Sequence, residues 1–117
     1  MEKRNFTRVK LKADVLLKYN DSSLSGEVDY ISLKGMYVRT SVLIPLKNPV
    51  DVTVNAYPYT DIAMDARVIR QGENGVGLVI ERMTVESFVR LRDMIMHQAT
   101  DPDVVMNEVY KVVSCIV

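Results

Sequence analysis

Apolar and polar residues alternate one by one through the front of the chain. From Thr7 to Tyr19, the residues Val9, Leu11, Ala13, Val15, Leu17 and Tyr19 share one parity. Arg8, Lys10, Lys12, Asp14, Leu16 and Lys18 share the other. A period of two with one polar side predicts a strand with a buried face and a wet face. The stretch 20–26 is crowded with turn formers and is expected to end that strand. Glu27–Ile31 reads as a short second strand, Ser32–Gly35 as a turn and Met36–Thr40 as a third strand, with Met36 and Val38 on one face and Tyr37 and Arg39 on the other. Pro45 and Pro49 mark residues 41–49 as a connection or an edge. Val50, Val52, Val54 and Ala56 predict a fourth strand, and Tyr57–Thr60 a turn. Ile62, Met64, Ala66 and Val68 predict a fifth strand, Gln71–Gly75 a hairpin loop and Val76–Glu81 a sixth strand. Short strands joined by tight turns predict a mainly β fold, as a sandwich or a small barrel. A closed antiparallel β-barrel also removes the exposed edges that a lone sheet must protect.

The period changes after Arg82. Thr84 is placed to cap a helix, with Met83 and Phe88 at staple positions and Glu86 in the first turn. Val85, Phe88, Leu91, Met94 and Ile95 then follow helical spacing. Asp101 followed by Pro102 predicts a second helix start, with Val105, Val109, Val112 and Ile116 as its stripe. The expected organisation is a single domain: a basic flexible arm over residues 1–8, a six-stranded barrel over 9–82 and C-terminal helices over 84–117.

Composition narrows the function classes. The 117 residues suit one core, and 15 Lys plus Arg against 15 Asp plus Glu give a net charge of zero. That excludes a histone-like polyanion binder, but the zero is uneven. Residues 1–12 hold Lys3, Arg4, Arg8, Lys10 and Lys12 against Glu2 alone, a local +4 balanced by −4 in the rest. A single Cys, no apolar run near the roughly 18 residues of a membrane span, and no apolar segment behind the charged start predict a soluble cytoplasmic protein. No DNA or RNA partner is expected, since the chain has no Trp, only 2 Phe and its positive excess at one end. No residue set makes an active site or a metal centre. His97 reads as a helix residue, Cys115 as a small hydrophobe in an apolar run, and Asp101 and Asp103 as a helix start without the Gly and distal Glu of a calcium loop. The chain is therefore read as a non-enzyme without cofactor or metal.

Arg4 and Arg8 are four positions apart, a spacing that puts both on one side of either a strand or a helix. Two guanidiniums on one face can grip phosphates bidentately, meet the O6/N7 edge of guanine or stack on its ring. A solvated charged arm has the same spacing. The second element is Gly26-Glu-Val-Asp-Tyr-Ile-Ser32-Leu-Lys-Gly35-Met-Tyr-Val. Arg4-Asn-Phe-Thr-Arg8 together with Ser32-Leu-Lys-Gly35 resembles the PilZ domain family, and Ala66–Arg70 and Gly75–Val79 resemble its later strands. The resemblance spans roughly residues 3–95. It implies a six-stranded antiparallel barrel with a C-terminal helix, acting as a stand-alone receptor for the bacterial second messenger cyclic di-GMP. The implied ligand residues are Arg4, Arg8, Asp29, Tyr30, Ser32 and Gly35.

The sequence departs from the family pattern at one place: the Asp/Asn position falls on Tyr30, with the acid one place earlier at Asp29. Neighbours in a regular strand face opposite sides, so Asp29 can stand in only if a bulge re-aims it. Tyr30 is open to stacking on a base or to packing. Ser32 is open to bonding the ligand or capping its own turn, and Gly35 to a positive φ or a close backbone approach. The expected output is ordering of a mobile arm over the barrel face. The alternative is a degenerate PilZ-like protein–protein or oligomerisation module without nucleotide affinity; the apolar end Val112–Val117 is open to closing the barrel or to packing on a second copy in a homo-oligomer.

Overall fold

A computed structural model describes residues 6–117. Six strands, β1 (Asp14–Tyr19), β2 (Ser22–Ile31), β3 (Gly35–Arg39), β4 (Pro49–Ala56), β5 (Tyr59–Gln71) and β6 (Gly75–Arg82), close into a barrel. The order around it is β1-β2-β3-β6-β5-β4, and every pairing is antiparallel. Two three-stranded meanders are thus joined by residues 40–48, which cross the barrel with Ile44 fully buried. Inward parity holds as the alternation predicts: Val15, Leu17, Val50, Val52, Val54, Ile62, Met64, Ala66 and Val68 are buried.

Strand lengths differ from the expectation. The first turn is only Asn20–Asp21, with Asn20 at φ 52°, a left-handed conformation Asn tolerates. Ser22–Gly26, expected as turn, instead continue β2, because each pairs with β1 from Tyr19 back to Val15. Local turn propensity yields there to the hydrogen-bond partner that β1 supplies. Upstream, the alternation from Val9 to Ala13 persists without continuous ladder; only Val9 is bridged, to Ile31.

Helix α1 (Val85–Gln98) buries Phe88, Leu91, Met94 and Ile95, the expected stripe, while Val85 is exposed. Thr84 caps it, accepting from the Ser87 N–H at 3.1 Å. Replacing Thr84 with Ala strands that donor, and the expected cost is about 1 kcal/mol. Thermal unfolding should show the midpoint falling by about 4 °C, and an unchanged midpoint would mean water replaces the cap.

Asp101 caps the short α2 (Pro102–Glu108) as predicted, but the helix tightens into a 3-10 run over Val109–Cys115. β-Branched Val109, Val112 and Val113 weaken the α-helix. The three-residue period then buries Val112 and Cys115 and leaves Ile116 half-buried. The chain end returns to the barrel, where Met83 donates to Cys115 O at 2.8 Å and Val117 donates to Met83 O at 2.9 Å. Among the described residues no helix is long and apolar enough to cross a membrane.

Candidate functional site

The cross-strand partners Tyr30, Tyr37, Gly77 and Arg70 form one row over β2, β3, β6 and β5. Tyr30 and Arg70 reach the outer face because of two bulges. Val28 pairs with Val38 and Tyr30 with Tyr37, so Asp29 is an extra residue in β2. Val68 pairs with Leu78 and Arg70 with Gly77, so Ile69 is an extra residue in β5. Val28 and Val68 point inward and are buried. Without the extra residue, Tyr30 and Arg70 would share their parity and point into the core.

On the outer face the rings of Tyr30 and Tyr37 stack with centroids 5.9 Å apart and planes 19° apart. The Arg70 guanidinium lies 5.1 Å over the Tyr37 ring and donates to the Tyr30 hydroxyl at 3.0 Å. Gly77 leaves the room that lets the Arg70 stem cross β6, since a Cβ there would crowd Arg70 Cβ at 3.3 Å. The hairpin loop fixes the other end of Tyr37, whose hydroxyl donates to Asn74 Oδ1 at 3.1 Å. A Cβ on Gly72 would collide with that hydroxyl. Tyr37 is consequently buried although it belongs to the outward side of β3.

Arg8 completes the row. Val9 exchanges both backbone hydrogen bonds with Ile31, at 2.9 and 3.0 Å, which sets the preceding residue beside β2. The Arg8 guanidinium lies 4.9 Å over the Tyr30 ring. Each phenol therefore carries one guanidinium, and each such contact contributes about 0.5–1 kcal/mol at an exposed site. The result is a flat aromatic pair with two cationic forks, suited to an anion that also bears planar rings. Arg4 lies outside the described residues.

Asp29 and Tyr30 are both half-buried between buried Val28 and Ile31: strand parity after inward Val28 aims Asp29 outward, and the bulge adds Tyr30 to that side. Ser32 is buried, and its hydroxyl donates to Gly35 O and accepts from the N–H groups of Lys34 and Gly35, all at 3.2 Å. A hydroxyl has one donor and two lone pairs, so these bonds use its whole capacity within the turn. Gly35 has no positive φ; it is instead the close-approach position, since a Cβ would collide with the Leu78 carbonyl oxygen. Lys34, between them, donates to Ile80 O at 3.1 Å and to Cys115 Sγ at 3.0 Å, tying the turn to the chain end.

Tyr37 and Arg70 join the site without having been singled out from sequence. The Ser32–Gly35 turn does encode the first: it pairs Ile31 with Met36 and hence Tyr30 with Tyr37. Arg70 closes the Ala66–Arg70 segment that resembles a family strand, but plain alternation after Val68 turns it inward, away from the site. His97 lies exposed late in α1, and no three metal-ligating side chains gather among the described residues.

The PilZ domain family matches residues 2–97. In structure the chain is similar to the PilZ domain of YcgR from Escherichia coli, solved with c-di-GMP, with TM-score 0.68 and 17% identity over 83% of this chain and 92% of that one. It is similar also to the PilZ domain of CeSA from a cellulose-synthesizing bacterium, with TM-score 0.62 and 17% identity over 78% and 96%. MotI, the inhibitor of motility of Bacillus subtilis, gives TM-score 0.68 and 15% identity over 84% of this chain and 52% of that one. The chain thus spans about half of that larger protein. No curated protein matches the sequence. At these identities the structural likeness carries the fold, whereas the family match covers most of the length and takes in both Arg4–Arg8 and Ser32–Gly35. The chain belongs to the PilZ domain family.

Proposed function

We propose that the chain is a non-enzymatic, cytoplasmic receptor module for cyclic di-GMP. The observation that carries this reading is the outer face on which Arg8 and Arg70 cap the stacked pair Tyr30 and Tyr37. Cyclic di-GMP is a dianion with two guanines, so it needs cationic forks and flat apolar surface together. Arg4 and Arg8 clamp phosphate and guanine. Tyr30 offers a ring face for stacking, and Asp29 is an acceptor for the N–H donors of a guanine edge. Ser32 and Gly35 shape the turn that sets Tyr30 against Tyr37. Fixing the course of the arm ahead of Thr7 over the barrel face is the output, read by a protein partner. The YcgR PilZ domain with c-di-GMP supports the ligand choice.

Calorimetric titration with cyclic di-GMP should show binding at micromolar or tighter dissociation constant, about −8 kcal/mol or better, and little heat with GMP. No heat from intact, folded protein would sink the receptor reading. It would favour the second one, a PilZ-like protein–protein module, which has its own support in the exposed Tyr110, Val113 and Val117 of the tail.

A further inference from the structure

The side chain of Glu108, at the end of α2, is buried at 8% exposure, and the nucleotide reading gives it no role. Its carboxylate accepts from the Thr7 backbone N–H at 2.9 and 3.0 Å and from the Thr7 hydroxyl at 2.8 Å. Thr7 is the residue between Phe6 and Arg8, inside the Arg4–Arg8 motif, and lies 101 positions from Glu108. A second contact runs alongside, with the Lys111 ammonium 5.5 Å over the Phe6 ring. α2 and the 3-10 run lie beyond the family match, which ends at residue 97.

We propose that Glu108 is a positioning residue for the ligand arm: it fixes Thr7 so that Arg8 is set against Tyr30 before ligand arrives. The proposal rests on the cyclic di-GMP reading and deepens it. Arg8 stands between two anchors, Thr7 on Glu108 and Val9 on Ile31. With both in place the backbone of residues 7–9 has one course, and the Arg8 side chain starts from beside the tyrosine pair. With Thr7 released, the ligand must bear the entropy of fixing that segment. Stability alone is a poor reason for such a carboxylate, because burying a charge is expensive and its apolar replacement is often neutral. The same tail reaches the other motif through Cys115 and Lys34, so both ligand motifs rest on it. By linkage, ligand binding then tightens the tail as much as the tail tightens binding.

Titration of the full chain with cyclic di-GMP tests this. Glu108→Gln should weaken binding about tenfold and Thr7→Val about fivefold, from lost hydrogen bonds to a charged group. Thr7→Ser, which keeps the hydroxyl, should bind like wild type. The double variant Thr7→Val/Glu108→Gln should be no weaker than Glu108→Gln alone, since both changes remove one contact. A merely structural role would lower the melting midpoint while leaving the dissociation constant of the folded protein unchanged. Wild-type affinity, or tighter binding, in Glu108→Gln overturns the proposal while leaving the receptor reading intact. If Glu108→Gln does not fold, wild-type affinity in Thr7→Val overturns it. No binding by wild type overturns both.

Discussion

Arg8→Ala is expected to weaken cyclic di-GMP binding about 100-fold, because it removes a charge-assisted phosphate contact of about 1.5–3 kcal/mol and the stacking of the guanidinium on guanine, about 0.5–1 kcal/mol. The side chain is exposed and the loss leaves no buried group unpaired, so the fold should be unaffected. Arg8→Lys separates charge from shape. The ammonium keeps the charge but has no planar fork to lie over Tyr30 or to bind two oxygens at once, so about tenfold weakening is expected. Arg70→Ala is the companion measurement on the other ring. It removes the guanidinium over Tyr37 and the donor to the Tyr30 hydroxyl, and should cost about tenfold. Titrations at one ionic strength decide among these. Arg8→Ala within threefold of wild type would mean that the ligand does not use the arm. Loss on Arg70→Ala alone would move the site toward β5.

The barrel was legible because each strand has one dry face and one wet face. Val50, Val52 and Val54, or Ile62, Met64, Ala66 and Val68, cannot alternate that way in a helix, and all of them are buried. The cap at Thr84 and the start at Asp101–Pro102 were legible for a similar local reason. Parity carries no mark for an extra residue, and both bulges fall where the site lies. The acid at Asp29 stands one position early in the motif, and the bulge makes it the extra residue beside Tyr30. The Ile69 bulge does the same for Arg70, which alternation alone would bury. The contact between Thr7 and Glu108 joins the two ends of the chain, and no local pattern announces it. At Thr7 the basic N-terminal stretch is packed on the tail, and at Val9 it is paired with β2.

Gly35→Ala should be the most damaging single methyl in the motif, destabilising the protein by about 3 kcal/mol, with about 1–3 from overpacking and the rest from weakened hydrogen bonds. β3 begins so close to β6 that a Cβ at this position meets the Leu78 carbonyl oxygen, which is backbone and cannot rotate away. The surrounding bonds leave little slack: Gly35 O accepts from Ser32 N at 2.8 Å, and Lys34 O accepts from Ile80 N at 2.7 Å. Parting the strands there loosens the pairing of Tyr37 with Gly77, two residues on. The melting midpoint should fall by roughly 10–15 °C, and nucleotide affinity should fall with it even well below the midpoint. Ser32→Ala is the control, since it removes the hydroxyl that caps the turn yet leaves the strands their approach. It should cost about 1 kcal/mol, or about 4 °C. If both variants melt alike, the turn's hydrogen bonds and not the approach of β3 to β6 select the residues of this motif. A Gly35→Ala protein that keeps its midpoint but loses the ligand would instead assign the glycine to direct backbone contact with the nucleotide.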